Sequence, residues 1–171
     1  MILTNLCLPE TLKNDLIDFA TVSGTSYFKP NIMSPNRKFV LLNKIEHRIK
    51  HDVQEFAKNC YAQFDIEVKE EPVFGNFLGF ISRGGAVHAH QDPSPLGFEH
   101  VRLNFMVSKP LGGDPVINGK ILEVAENQCW LNLASLWMHE STEVQGETPR
   151  IVLSLGNLVP NSKLRNFGPL V

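Results

Sequence analysis

The change of hydrophobic period near Asp65 constrains this chain more than any other feature. Before it, apolar residues recur at steps of three and four, the period of helices; after it they alternate or form short runs, the habit of strands. Pro9 to Ala20 places Leu12, Leu16, Phe19 and Ala20 on one helical face, with Pro9 and Glu10 suited to a first turn and Gly24 marking the far side. Leu42, Ile45, Ile49, Val53, Phe56 and Cys60 keep the same spacing and predict a longer amphipathic helix, with His47, Lys50, His51 and Lys58 off its stripe. His47 and His51 lie one turn apart, but no third ligand is near in sequence and a solvated face is expected. Between the helices, Ser26 to Asn36 carries two prolines and no period, which predicts a loop able to cover a site.

Beyond Asp65, Phe64 to Val68 and Val73 to Ser82 are rich in β-branched and aromatic residues, with Gly75 and Gly79 allowing bends or close contacts. Val101 to Ser108 alternates, with Val101, Leu103, Phe105 and Val107 on one face and Arg102, Asn104, Met106 and Ser108 on the other. Asn118-Gly119 within Val116 to Ile121 is a hairpin signal, because both residues accept the positive φ of a tight turn. Cys129 to Leu133 and Arg150 to Leu155 add two strands. Two helices followed by about seven or eight short strands predict a mainly β protein with N-terminal α-helices. The expected arrangement is one domain of 171 residues, a helical scaffold over 1–62 packed on a β-sandwich or jelly roll over 63–171.

With 43% hydrophobic and 20% charged residues the composition is that of a globular protein. The net charge of -2 offers no basic footprint, so non-specific binding to nucleic acid is not expected. Cys7, Cys60 and Cys129 lie far apart without a C-x-x-C spacing, the pattern of reduced, buried thiols in a cytoplasmic protein. No apolar run reaches the length needed to span a bilayer, and Met1 to Leu6 lacks the basic lead of a signal peptide, so no membrane association is expected. Nothing in the sequence fixes an oligomeric state.

The stretch Gly84-Gly85-Ala86-Val87-His88-Ala89-His90-Gln91-Asp92-Pro93 carries the chemistry. His90 and Asp92 are alternate residues, so on an extended segment an imidazole and a carboxylate point the same way and can reach one ion. Such an ion needs a further neutral nitrogen, which His139, at the end of the apolar run Leu131 to Met138, can supply. Arg150 then opens the run Ile151 to Leu155, and His88 shares the parity of His90.

In order and spacing, His90-x-Asp92, His139 and Arg150 resemble the Fe(II)- and 2-oxoglutarate-dependent dioxygenases, with the closest general likeness to the prolyl and aspartyl/asparaginyl hydroxylase branches. Gly85 to Gly156, with Val101-Arg102-Leu103-Asn104-Phe105 and Pro149-Arg150-Ile151-Val152-Leu153-Ser154, looks like small microbial and phage members. The resemblance implies a double-stranded β-helix, the cupin-like jelly roll. It also implies Fe(II) held by His90, Asp92 and His139, three coordination positions open to 2-oxoglutarate and O2, and Arg150 gripping the distal carboxylate of 2-oxoglutarate. Arg102 and Asn104 would approach the other carboxylate or the substrate, and His88 and His100 are candidate substrate contacts.

The activity so implied is hydroxylation of an amino acid, a related metabolite or a peptidyl side chain, with release of succinate and CO2. Many members place Ser or Thr two residues after the arginine, where this chain has Val152; Ser154 lies about 13 Å along the strand from Arg150. Retention of Asp92 disfavours halogenation, while desaturation and ring closure use the same ligands. The loops at 26–36, 93–100 and 142–149 are candidate rims. Two other readings remain: a cupin-like sensor that binds metal or 2-oxoglutarate without turnover, and a zinc hydrolase, which would have no use for Arg150.

Overall fold

The computed structural model describes residues 1–31 and 34–169. In chain order its elements are β1 (Ile2–Leu3), α1 (Glu10–Asp18), β2 (Lys29–Asn31), β3 (Ser34–Leu41), α2 (Ile49–Ala62), β4 (Phe77–Ile81), β5 (Phe98–Ser108), β6 (Pro115–Ile117), β7 (Lys120–Ile121), β8 (Cys129–Leu133), β9 (His139–Ser141) and β10 (Arg150–Pro160). Seven strands form one antiparallel sheet in the order β1-β8-β5-β10-β4-β3-β2, and β7-β6-β9 form a small second sheet. The result is a mainly β jelly roll with N-terminal helices, as expected. β1, β2 and β3 come from the part read as helical scaffold, yet they join the same sheet as the long strands β5 and β10.

The alternation in β5 explains how one sheet serves two purposes. Val101, Leu103, Phe105 and Val107 point to the helices, together with Ile151, Leu153 and Leu155 of the neighbouring β10, and all are buried. Against them pack Leu12, Leu16 and Phe19 from the α1 region and Ile49, Val53, Ala57 and Cys60 from α2. The Phe56 ring meets Phe105 edge-on at 5.1 Å between centroids. Tyr61 is buried in this layer, and its hydroxyl lies 2.8 Å from the Leu155 carbonyl and 3.2 Å from that of Val101. The opposite face of β5, with Arg102, Asn104 and Met106, looks toward the small sheet.

Four local expectations are corrected. Leu42 and Ile45 are buried as the periodicity requires, but Leu42–Lys44 form a separate short turn and α2 starts only at Ile49. The break has local causes: the Leu42 N–H is committed to the Asn76 carbonyl, and the His47 ring accepts the Ile49 N–H. Most of the expected 26–36 loop that is described is a turn at Thr25–Tyr27 followed by β2 and the start of β3; Ile32 and Met33 lie outside the described residues. Pro30 masked this hairpin, and it is tolerated because β2 is an edge strand. Phe64 to Val68 is not a strand; the segment beyond it is held by Asn157, whose amide takes the Lys69 N–H and donates to the Glu67 carbonyl.

Fourth, Val73 to Ser82 is a strand only over Phe77–Ile81, because Val73, Phe74 and Gly75 turn their N–H groups onto the Glu71 carboxylate. The Asn118-Gly119 hairpin forms as read, with φ of 49° and 76°, and joins β6 to β7. Removing the Tyr61 hydroxyl in Tyr61→Phe should lower unfolding free energy by about 1–2 kcal/mol, the usual loss for a buried hydrogen bond. Denaturant unfolding checks this, with unchanged secondary structure by circular dichroism.

Candidate metal centre and cavity

Gly84 adopts φ +77° just after β4 and turns the chain back along β9. From there the two segments pair: Val144 N–H donates to Gly85 O, Ser141 N–H to Val87 O, and His90 and His139 exchange N–H···O bonds of 3.1 and 2.9 Å. This pairing sets the His90 and His139 rings side by side, 4.2 Å between centroids. Asp92 is fixed by its own N–H, which donates to the Ala134 carbonyl at 2.8 Å. One donor atom from each of His90, Asp92 and His139 lies within 4.8 Å of the others.

The tautomers suit a metal. His90 Nδ1 sits 2.7 Å from the His88 carbonyl and His139 Nδ1 sits 3.1 Å from the Trp137 carbonyl, so each Nδ1 carries the proton and each Nε2 keeps its lone pair. Burial, ahead of the neighbouring charges, lowers the pKa of His139 and favours the neutral ring that a ligand must have. Asp92 presents Oδ1 at 3.5 Å from His90 Nε2, while its Oδ2 accepts from Arg102 Nε at 3.2 Å. Two neutral nitrogens and one carboxylate oxygen fit a divalent transition-metal ion.

The centre opens on a cavity of about 620 Å³ between the sheets. The large sheet supplies its floor, including Arg37, Phe39, Phe77, Ile81, Asn104, Asn132 and Arg150; Val87 to His90, Ile117 and His139 supply its roof. Arg150 is buried, donates Nε–H to the Gly113 carbonyl at 2.7 Å and lies over the Trp130 ring. Desolvation, and next the charge of Arg37, push its pKa down to about 10, leaving it charged at neutral pH but poorly compensated. Asn104 is buried on the wall, and the buried Asn132 Oδ1 has no partner among the described residues.

Two residues take other places than the sequence assigned. Arg102 is spent on the protein: besides Asp92, its Nη1 donates to Gly75 O and Ser154 Oγ, both at 3.2 Å, and Nη2 lies 3.6 Å from Glu71. It touches the cavity but mainly holds the Asp92 carboxylate. His100 is 1% exposed and does not line the cavity, so it cannot contact a substrate there. Its ring nitrogens lie 3.5 Å from Asp92 and 3.8 Å from Glu71 without a hydrogen bond to either. His88 is exposed at the roof edge and contributes its carbonyl to His90.

Sequence reasoning missed Glu71, Arg37 and Asn132. Glu71 follows Lys69 and Glu70 in what resembles a solvated charge run, and only its burial at 4% shows that it organises a loop.

Gly156 makes room for Arg102: a Cβ there would stand 2.7 Å from Gly75 O and 2.9 Å from Arg102 Nη1. Gly156→Ala should therefore shift Arg102, release Asp92 and weaken metal affinity by roughly tenfold or more, as loss of a partner behind a ligand does; Co(II) titration followed by absorption checks this. Burial first, and then Arg102, lower the His100 pKa from the usual 6.5 to about 4 despite the two carboxylates. Between those values the unfolded chain binds a proton that the folded one does not, so stability should fall as pH drops from 6.5 toward 4. Unfolding of the metal-free protein against pH should show a flatter profile in His100→Asn.

No protein-family model matches the chain, and no curated protein matches it. Solved structures do. A prolyl hydroxylase from Trichoplax adhaerens, in complex with a hypoxia inducible factor oxygen degradation domain peptide fragment, aligns with a TM-score of 0.65 over 99% of this chain and 87% of that one, at 11% identity. A Pseudomonas putida prolyl-4-hydroxylase gives 0.61 over 90% and 89% at 10% identity. The viral collagen prolyl hydroxylase of Paramecium Bursaria Chlorella virus-1, as its 2OG complex, gives 0.61 over 88% and 91% at 11% identity. The chain therefore has the double-stranded β-helix fold of these prolyl hydroxylases.

Proposed function

We propose that this protein is an Fe(II)- and 2-oxoglutarate-dependent dioxygenase that hydroxylates an unactivated C–H bond of a small molecule or peptidyl side chain. The observation that carries the reading is the convergence of His90, Asp92 and His139 on one point at the wall of a cavity that also holds the buried Arg150. The fold shared with prolyl hydroxylases, one of them solved with 2OG, supports it.

Iron with 2-oxoglutarate and O2 would supply the oxidising power, giving succinate and CO2. The chain's own part is orientation. The His88 and Trp137 carbonyls hold the two imidazoles with Nε2 toward the metal position, and Arg102 holds Asp92 so that Oδ1 faces it. Arg150, desolvated and with its Nε fixed by Gly113, leaves its terminal nitrogens to grip a carboxylate in the bidentate manner guanidinium favours. Asn104 and Asn132 offer amide groups on the cavity wall, and Phe77, Ile81 and Val152 line it with apolar surface.

Anaerobic addition of Fe(II) and 2-oxoglutarate should give the weak visible band of a chelated ketoacid, and oxygen should then yield succinate. Asp92→Ala and His139→Ala should lose metal, while Arg150→Ala keeps it and needs roughly ten- to a hundredfold more 2-oxoglutarate, the usual effect of losing hydrogen bonds to a charge. A band without succinate would instead identify a binding module. Absence of both signals in a folded wild-type protein would sink the reading.

A further inference from the structure

Three arginines reach the cavity, and their charges are not equally used. Arg102 is matched by Asp92 and Glu71. Arg150 is the seat for one end of 2-oxoglutarate in the function proposed above, and the metal takes the other end. Arg37 on β3 is left over. Among the described residues no carboxylate lies within ion-pair distance of it. Glu140 also borders the cavity, but it follows the inward-facing His139 on β9, and strand alternation sends its side chain to the opposite face.

The position of Arg37 is built by the sheet. Arg37 and Arg150 both pair with Ile81 of β4, from opposite sides, so the two guanidinium-bearing positions share one row about 10 Å apart. The next row on this face is Phe39, Gly79 and Val152. Gly79 contributes no side chain there, and the edge of the Phe77 ring lies over it, 3.6 Å from where a Cβ would stand. The Phe39 ring stands 6.5 Å from those of Phe74 and Phe77, making an aromatic corner beside Arg37. Arg37 lines the same cavity as Arg150 and the candidate metal ligands His90, Asp92 and His139. A cavity of about 620 Å³ is within the usual range for ligand pockets and has room for a second small molecule beside the cosubstrate.

We propose that Arg37 is the anchor for the prime substrate, and that this substrate is a small carboxylic acid whose carboxylate pairs with Arg37 while its apolar body lies against Phe39, Phe74 and Phe77. This rests on the dioxygenase reading only in assigning Arg150 to the cosubstrate. It narrows the substrate class from any small molecule or peptidyl side chain to free acids with an apolar body, because an internal peptide residue with an uncharged side chain brings no anion to Arg37.

The test uses 4-fluorophenylacetate and its primary amide as probes, followed by fluorine NMR on the full-length protein with Zn(II) and excess 2-oxoglutarate. The acid should bind to wild type, the amide at least tenfold more weakly, and Arg37→Gln should lose the preference for the acid while binding 2-oxoglutarate as wild type does. Arg37→Lys, which keeps the charge without the planar fork, should retain part of it. No binding of the acid to wild type, equal binding of acid and amide, an unchanged preference in Arg37→Gln, or a loss of 2-oxoglutarate binding in that variant would each overturn the proposal. If wild type fails to bind 2-oxoglutarate, the dioxygenase reading falls separately. Capture of the acid is then still decided by comparing Arg37→Gln with Arg150→Gln: loss in the former supports the anchor, and loss only in the latter overturns it.

Discussion

A guanidinium buried as deeply as Arg102 must find acceptors, and the cavity is shaped by where it finds them. They are four groups from three separate stretches: Asp92 after the roof segment, Gly75 and Glu71 in the loop before β4, and Ser154 on β10. Leaving any of the charges unpaired would cost several kcal/mol in a site this dry. The loop at 71–76 is wound around the Glu71 carboxylate partly to present that group, and β10 has glycine at 156 where a side chain would collide. Asp92 is thereby held by one oxygen and free at the other. The orientation of a candidate metal ligand thus depends on charge balance several residues behind it.

Much of this fold was legible because its main sheet separates two unlike environments. In β5 the helix side is Val101, Leu103, Phe105 and Val107 and the cavity side is Arg102 and Asn104, so the period of two is visible in the sequence. His90, Asp92 and His139 were legible for a different reason, since few residue types bind a transition metal and a strand puts alternate positions on one side. What escaped was set by tertiary contacts. β3 is strung with charged and proline residues because its neighbours, not its own pattern, make it a strand. Arg37, between the loop expected to end at Asn36 and the apolar stripe that starts at Leu42, was therefore assigned no role. Arg102 and His100 share the parity of Asn104, but parity cannot tell a side chain that reaches the cavity from one consumed by a carboxylate beside it.

The residues of the cavity divide by sheet. The cations Arg37, Arg102 and Arg150 stand on the large sheet, whose central strands β5 and β10 are 11 residues long and paired along nearly their whole length. His139 stands on the small sheet, and His90 on the segment bridged to it. Anion recognition and metal recognition are thus built on two supports, joined between Asp92 and Arg102.

Those supports differ in how firmly they are tied. β6, β7 and β9 have 3, 2 and 3 residues, and beyond them the roof is continued by isolated bridges and loop hydrogen bonds. Short ladders with few interior bonds open at a lower free energy than the molecule as a whole unfolds. The amides of Val87, His90 and His139 would accordingly exchange with solvent through local opening, while those of β5 and β10 wait for global unfolding. An ion shared by His90, Asp92 and His139 would close that soft half like a clasp. Its occupancy would be written in the protection of roof amides before it appeared in the melting of the whole chain.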